Sequence, residues 1–250
     1  MKVSTIKKVG YTSLAILVLF LIWMIIAKTK NNEMIYPSLE TIFKAFPTIF
    51  NAANLKSFVY TILRVFLNIG ICLVVALILA ILTSKVSIIY QIIAPFMRLM
   101  RTVPFICLSL MIVLFFSRYV APFIIAIVVI LPLMYEGILN GFKQIKPNLL
   151  DDLALLDLNY MTKLKKVYLP LCLPSIILTL LQTLGLSFKV MIMGEYFAQT
   201  QNSLGRVLFD AKSNLYMDQL FAWTILIVII VAIGELVLNY LQQKRMAYEY

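Results

Sequence analysis

The feature that most restricts the fold is a series of apolar runs, each about as long as a bilayer is thick. A helix needs about 20 apolar residues to cross the hydrocarbon core, and such runs recur along the whole 250-residue chain. The chain is 62% hydrophobic and 13% charged, with a mean hydropathy of +0.97, which no ordinary soluble domain approaches. Because lipid leaves backbone polar groups no water to bind, the runs predict an all-α, multi-pass membrane protein.

Six spanning helices are predicted, at about 11–28, 57–83, 95–117, 119–140, 170–193 and 217–241. Lys28 and Lys30 follow the first run without a small-residue cleavage site, which favours a retained helix over a signal peptide. With the N-terminus inside, thirteen basic residues fall in the predicted cytoplasmic segments and seven in the external ones. The positive-inside rule therefore supports this orientation.

The composition excludes several kinds of chemistry. The chain has no histidine, which rules out histidine catalysis and histidine metal ligands, and its three cysteines stand apart inside apolar runs. It also has no G-x-x-x-x-G-K-[ST] phosphate loop. The net charge of +11 is explained largely by cytoplasmic loops and does not indicate a nucleic-acid partner. We therefore expect no catalytic residue, no metal site and no cofactor.

A polar stretch, residues 147–174, interrupts the apolar pattern and predicts two short helices joined by a hinge. Asp151 and Asp152 lie in the first turn of the first helix, where the helix dipole favours negative charge. Residues 157–159, Asp-Leu-Asn, break the periodicity with residue types that tolerate turns, and the Asn can cap the second helix. Pro170, tolerable in a first helical turn, then leads into the fifth apolar run.

This stretch resembles the cytoplasmic EAA loop of bacterial ABC-type importer permeases, whose pattern is Glu-Ala-Ala, then Gly, then an apolar residue and Leu-Pro. Counted back from the Leu-Pro at 169–170, residues 151–153 fall on Glu-Ala-Ala, Asp157 on the Gly and Val167 on the apolar residue. The first acidic charge is kept, whereas both Ala positions and the Gly are replaced. The residues implied to couple to an ATPase are Asp151, Asp152, Leu153, Asp157, Val167, Leu169 and Pro170. The alternative is an amphipathic loop whose lysines lie near anionic lipid.

Other segments resemble the sulfonate, nitrate and taurine branch of that family. A Tyr-Pro-Ser at 36–38 precedes an amphipathic stretch, which predicts an external helix on the membrane surface. Arg64 in the second run, the Arg-Thr-Val-Pro at 101–104 and the Gly-Glu at 194–195 also match. Ser203-Leu204-Gly205 resembles the family's Gly-Leu-Gly segment, which implies contact with an external binding protein; an ordinary surface connection is the alternative.

Charges inside apolar runs are costly and are functional candidates by default. The residues predicted to line the translocation path or its gate are Arg64, Arg101, Pro104, Glu136, Lys189 and Glu195. Simpler interpretations remain open for several of them. Arg64 could snorkel to the interface, Arg101 could anchor a helix end at the headgroups, and Pro104 could kink a helix for packing alone.

Taken together, the resemblance implies a type I ABC importer permease fold of about six spanning helices with a cytoplasmic coupling-helix hairpin. It divides the chain into an N-terminal helix and external segment (1–56), a core permease domain (57–243) with coupling loop 147–169, and a cytoplasmic tail (244–250). The implied partners are an ABC ATPase on a separate chain, a second permease subunit, identical or different, an extracytoplasmic binding protein and membrane lipid.

The implied location is the bacterial inner membrane. The branch implies small solutes such as sulfonates, nitrate, taurine or vitamin precursors. The main alternative is an ion-coupled secondary transporter, although no convincing internal repeat is present. An intramembrane enzyme or a non-transporting scaffold fits the sequence less well.

Overall fold

The computed structural model describes residues 14, 17, 18, 20–30, 32–145 and 159–246. Within those ranges the chain consists of helices and short connections, without a strand, as the all-α prediction requires. The helices are α1 (20–30), α2 (Leu39–Ile49), α3 (Ala52–Lys85), α4 (Ser87–Thr102), α5 (Phe105–Phe115), α6 (Ala121–Lys143), α7 (Tyr160–Ala198), α8 (Leu204–Ser213) and α9 (Met217–Met246).

Four of these helices are long and apolar enough to cross a membrane: α3, α6, α7 and the Met217–Gly234 part of α9. The α4–α5 pair makes a fifth span if the two are counted together. The remaining predicted span, 11–28, is described at residues 14, 17, 18 and 20–28, and its last part belongs to α1. The predicted spans 57–83, 119–140 and 217–241 correspond to α3, α6 and α9.

The core lies where α6 packs between α3 and α7. Small residues allow α6 and α7 to approach closely, as is common in membrane bundles. A Cβ added at Gly137 would lie 2.2 Å from Thr179 Oγ1, and one at Gly141 would lie 2.7 Å from Ser175 Cβ. A larger residue at either position would therefore push the two helices apart.

The amphipathic segment that follows residues 36–38 forms α2. Ser38 caps it, since its Oγ accepts the Thr41 backbone N–H at 3.2 Å. Ile42, Ala45 and Ile49 follow at helical spacing and are buried, and the helix packs against α9. The helix predicted after residues 36–38 is confirmed.

The predicted third span corresponds to the bent pair α4 and α5, which meet at an angle of 99°. Pro104 explains the break. It has no N–H to continue the helical hydrogen bonds, and its ring disfavours helical backbone at Val103, which is extended at φ −69° and ψ 127°. The expectation that Pro104 would kink or unwind the helix within 95–117 is confirmed.

The helix that contains the predicted fifth span begins earlier than residue 170. Helix α7 begins at Tyr160, where Asn159 caps it by accepting the Met161 N–H at 3.4 Å, and it continues through Pro170. A π-helical turn at Leu164–Tyr168 makes this possible, with the Leu169 N–H bonded to the Leu164 carbonyl. The wider turn accommodates a proline that cannot donate a hydrogen bond. The second hairpin helix and the fifth span are thus one element. The first hairpin helix and most of the hinge lie outside the described residues.

Candidate functional site

The strongest candidate site is a buried ion pair between α3 and α7. Arg64 Nη1 lies 2.8 Å from Glu195 Oε1, and the Glu195 side chain is completely buried while 17% of the Arg64 side chain is exposed. A buried carboxylate is tolerated only when it is paired and its remaining lone pairs are hydrogen-bonded. The rest of the site meets that requirement.

Two further groups donate to the other oxygen of Glu195. Thr61 Oγ1 donates to Oε2 at 2.8 Å, and the Gly205 backbone N–H donates to the same oxygen at 3.3 Å. Thr61 also accepts the Leu204 N–H at 2.9 Å. The N-terminus of α8 therefore faces the carboxylate, where the helix dipole favours negative charge.

Gly205 is required by this close approach. A Cβ there would lie 2.4 Å from the Tyr196 backbone nitrogen and 2.6 Å from the Ile192 carbonyl oxygen. Both are backbone atoms and cannot rotate away. The tip of α8 is thus seated directly on α7.

The connection between α7 and α8 is held by the same cluster. Arg64 donates to the carbonyls of Gln201 and Asn202 at 3.4 and 3.2 Å. Thr200 Oγ1 donates to the Arg118 carbonyl at 2.7 Å, which ties the connection to the turn before α6. We call Thr61, Arg64, Glu195, Leu204 and Gly205 the outer cluster, because the predicted topology puts this end of the bundle outside the cell.

A second ion pair lies towards the other end of the bundle. Arg101 on α4 pairs with Glu136 on α6, and both side chains are partly exposed, at 44% and 37%. Pro104 lies just beyond Arg101, at the break between α4 and α5. This ion pair therefore joins α4 to α6, next to the bend between α4 and α5.

The six predicted path residues thus fall into separate places. Arg64 and Glu195 are paired, which argues against simple snorkelling of Arg64, and Arg101 and Glu136 form the second pair. Lys189 is exposed on α7 and makes no salt bridge among the described residues. Whether any of these residues line a translocation path stays a prediction.

The predicted coupling residues are described only in part. Val167 lies in the π turn, and Leu169 and Pro170 follow it directly. Nearby, Lys85 Nζ at the end of α3 lies 4.2 Å from the centre of the Tyr160 ring, a distance typical of a cation–π contact. Asp151, Asp152, Leu153 and Asp157 lie outside the described residues.

Sequence reasoning did not assign Thr61, Leu204 or Gly205 to the Glu195 site. A signal for Thr61 exists in α3, where Thr61, Arg64 and Asn68 recur at helical spacing within an apolar run. Such a polar stripe indicates the face directed towards the protein interior. Thr61 and Asn68 are both fully buried. In the described part of the chain, no group of acidic or cysteine side chains could hold a metal ion.

The bundle has the fold of ABC importer permeases. It matches two inward-facing crystal structures of the MetNI methionine ABC transporter with a TM-score of 0.62 each, at 18% and 19% identity, covering 74% of this chain and 92% of the other. A sequence profile for the binding-protein-dependent transport system inner membrane component matches residues 72–246. The chain belongs to that family.

A relative in Bacillus subtilis (strain 168), named as an aliphatic sulfonates transport permease protein, SsuC, is 22% identical over 152 residues. The alignment covers 60% of this chain and 54% of the relative. The chain therefore spans about half the length of that relative.

Proposed function

We propose that the chain is the transmembrane permease subunit of an ATP-driven importer in a bacterial inner membrane. A second permease subunit completes the translocation path, and a separate ABC ATPase hydrolyses ATP. An extracytoplasmic binding protein delivers the solute to the outer end. The family membership supports this assignment, and the continuity of α7 supports the mechanism.

Helix α7 is long enough to connect the proposed coupling loop to the outer cluster. It contains 39 residues, and at 1.5 Å per residue it is about 58 Å long, roughly twice the thickness of the hydrocarbon core. Its first ten residues, 160–169, belong to the proposed coupling loop, and its other end bears Glu195 in the outer cluster. Movement of the loop by the ATPase would therefore be transmitted through a single element to the outer end.

Alternating access then follows from linkage. ATP binding brings the ATPase subunits together, the coupling loops move with them, and α7 shifts against α3 and α6. A ligand can shift such an equilibrium only by its differential affinity for the two states. The outer cluster fixes α8 to α7, so a binding protein that contacts α8 would sense the same two states.

The proposed solute is a small nutrient of the sulfonate, nitrate, taurine or vitamin-precursor type. The name of the Bacillus subtilis relative makes aliphatic sulfonates the first class to test. In this arrangement the binding protein would contribute much of the selectivity, since it captures the solute first.

The test is affinity purification of the tagged chain from its native host in mild detergent, followed by an ATPase assay. We expect a phosphate-loop ATPase to co-purify. Purification of the chain alone, with ion-gradient-driven uptake and no ATPase, would overturn the proposal in favour of a secondary transporter.

The coupling loop has its own test in Asp157→Pro. A proline at the proposed hinge should uncouple ATP hydrolysis from uptake in proteoliposomes while leaving the amount of protein in the membrane unchanged. Lys165→Gln, an exposed change within the same loop, is the matched control. Normal coupled uptake by Asp157→Pro would argue against this loop as the coupling site.

A further inference from the structure

A cavity opens between α4 and α6, at the end of the bundle where α6 finishes. Its volume is about 180 Å³, several times the roughly 30 Å³ that one water molecule occupies in the liquid. Its polar lining consists of Tyr90, Arg98, Tyr135, Glu136, Asn140 and Lys143. Neither the outer cluster nor the proposed coupling residues contribute to it.

The cavity has an excess of positive charge. Glu136 is already paired with Arg101, so its charge is compensated. Lys143 Nζ donates to the Tyr90 hydroxyl at 3.3 Å, and Arg98 Nε donates to the Ala94 carbonyl at 3.3 Å. Within the described ranges neither cation forms a salt bridge. Two positive charges on two different helices therefore face the same space.

Two more polar residues line the cavity. Tyr135 is 1% exposed and its hydroxyl is closed off from the cavity, so it does not donate to a bound anion. The amide of Asn140 adds a further donor on the same wall.

We propose that this cavity binds a phosphate group. Arginine and lysine together suit a tetrahedral oxyanion, since the guanidinium offers a planar pair of donors and the ammonium a point charge. The predicted topology puts the cavity at the cytoplasmic interface, so the phosphate comes either from an anionic phospholipid headgroup of the inner leaflet or from free inorganic phosphate. The bound group bridges α4 to α6 beside the bend at Pro104 and restricts the angle between α4 and α5.

The test uses the full chain, purified with its bound partners and stripped of lipid by detergent exchange. Native mass spectrometry measures retention of phosphatidylglycerol against phosphatidylcholine, and thermal unfolding measures stabilisation by inorganic phosphate alone. Preferential phosphatidylglycerol binding with no response to inorganic phosphate identifies the lipid as the source, and stabilisation by inorganic phosphate identifies the free anion. No response in either arm overturns the proposal.

Matched variants locate the site. Arg98→Gln and Lys143→Gln together should weaken binding about twenty-five-fold, since each of the two cations that face the bound phosphate contributes a factor of about five. Lys165→Gln removes an exposed charge from the same end of the bundle outside the cavity and should leave binding unchanged. An equal loss in both variants would indicate general surface charge and overturn the site.

Asn140→Ala separates binding from folding. The residue is exposed and its amide makes no hydrogen bond within the described ranges, so the melting temperature without phosphate should not fall, while phosphate affinity should drop severalfold. Unchanged affinity would overturn the role of this wall. One further outcome would overturn the proposal: stabilisation by phosphate only after Asp151, Asp152 and Asp157 are all changed to Asn. That result would mean that carboxylates of the unchanged chain compete with phosphate for the cavity.

Discussion

At the residue scale, Glu195 is the side chain of the outer cluster whose charge is most costly to bury. Glu195 is fully buried and receives donors from Arg64, Thr61 and Gly205. Removing one partner of such a pair costs more than the pair contributes, since the other charge is left without compensation.

We predict that Glu195→Gln lowers the free energy of unfolding by about 3 kcal/mol, the low end for a broken buried pair because Arg64 keeps some contact with solvent. Unfolding in mixed detergent micelles measures it. Glu40→Gln, which breaks the exposed pair with Lys44, is the control and should have no measurable effect.

A double-mutant cycle decides whether the two charges act together. If they do, Arg64→Gln combined with Glu195→Gln should cost less than the sum of the single changes. Additive losses would show that the pair is not energetically coupled and would contradict this reading of the cluster.

We predict opposite effects for two glycine substitutions. Gly205→Ala would force a Cβ against the Tyr196 backbone and should lower stability by more than 1 kcal/mol, as overpacking does. Gly70→Ala meets nothing within 4 Å and should raise stability by about 0.5–1 kcal/mol, because alanine loses less backbone entropy in a helix. Thermal unfolding of the two variants side by side checks this, and equal shifts would contradict the packing of α8 on α7.

The sequence identified Arg64 and Glu195 separately but not as partners. Their rarity within apolar runs marks each one, but 131 positions separate them, and no local pattern reports a contact over that distance. Thr61 could have been predicted from the sequence, because the polar stripe of α3 is a local, periodic signal. Gly205 was noticed only as part of a motif, since its role depends on how closely two helices approach.

At the element scale, helix positions were predictable where a long apolar run decides them, as in α3, α6 and α9. The difference from prediction lies at Pro170, which the sequence predicts near the start of a helix. Pro104 breaks a helix, whereas Pro170 lies inside one, because a π turn at Leu164–Tyr168 absorbs it. The residue type alone cannot distinguish these outcomes, since they depend on whether the turn before the proline widens to a π turn.

We predict that Pro170→Ala relaxes the π turn to an α-helical turn. The restored N–H can bond the Lys166 carbonyl, and loss of the extra residue in the turn rotates residues 160–164 by about 100° relative to the rest of α7. Tyr160 would then move away from Lys85. Disulfide cross-linking of the Lys85→Cys, Tyr160→Cys pair should fall severalfold.

Pro174→Ala is the matched control, since Pro174 also lies inside α7 but has no π turn before it. It should leave the cross-link unchanged. Equal cross-linking in both variants would mean that the π turn does not depend on Pro170.

At the scale of the whole molecule, polar interactions gather at the two ends of an apolar bundle. The outer cluster joins α3, α7 and α8 at one end, while the contact between Lys85 and Tyr160 joins α3 to the start of α7 at the other. Both ends of α7 are thereby tied to α3. A shift of α7 must strain or break contacts at both ends together, which is the property that a two-state transporter needs.

This arrangement predicts a defined orientation in the membrane. If the positive-inside assignment is right, Lys56→Cys, before the membrane part of α3, should react with a membrane-impermeant maleimide in intact cells. Lys165→Cys should react only in inverted vesicles. Both positions are exposed, Cys72 and Cys172 are buried, and Cys107→Ser removes the remaining exposed native thiol. Labelling of position 165 in intact cells would reverse the topology, and with it the assignment of the loop before α7 to the ATPase and of α8 to the binding protein.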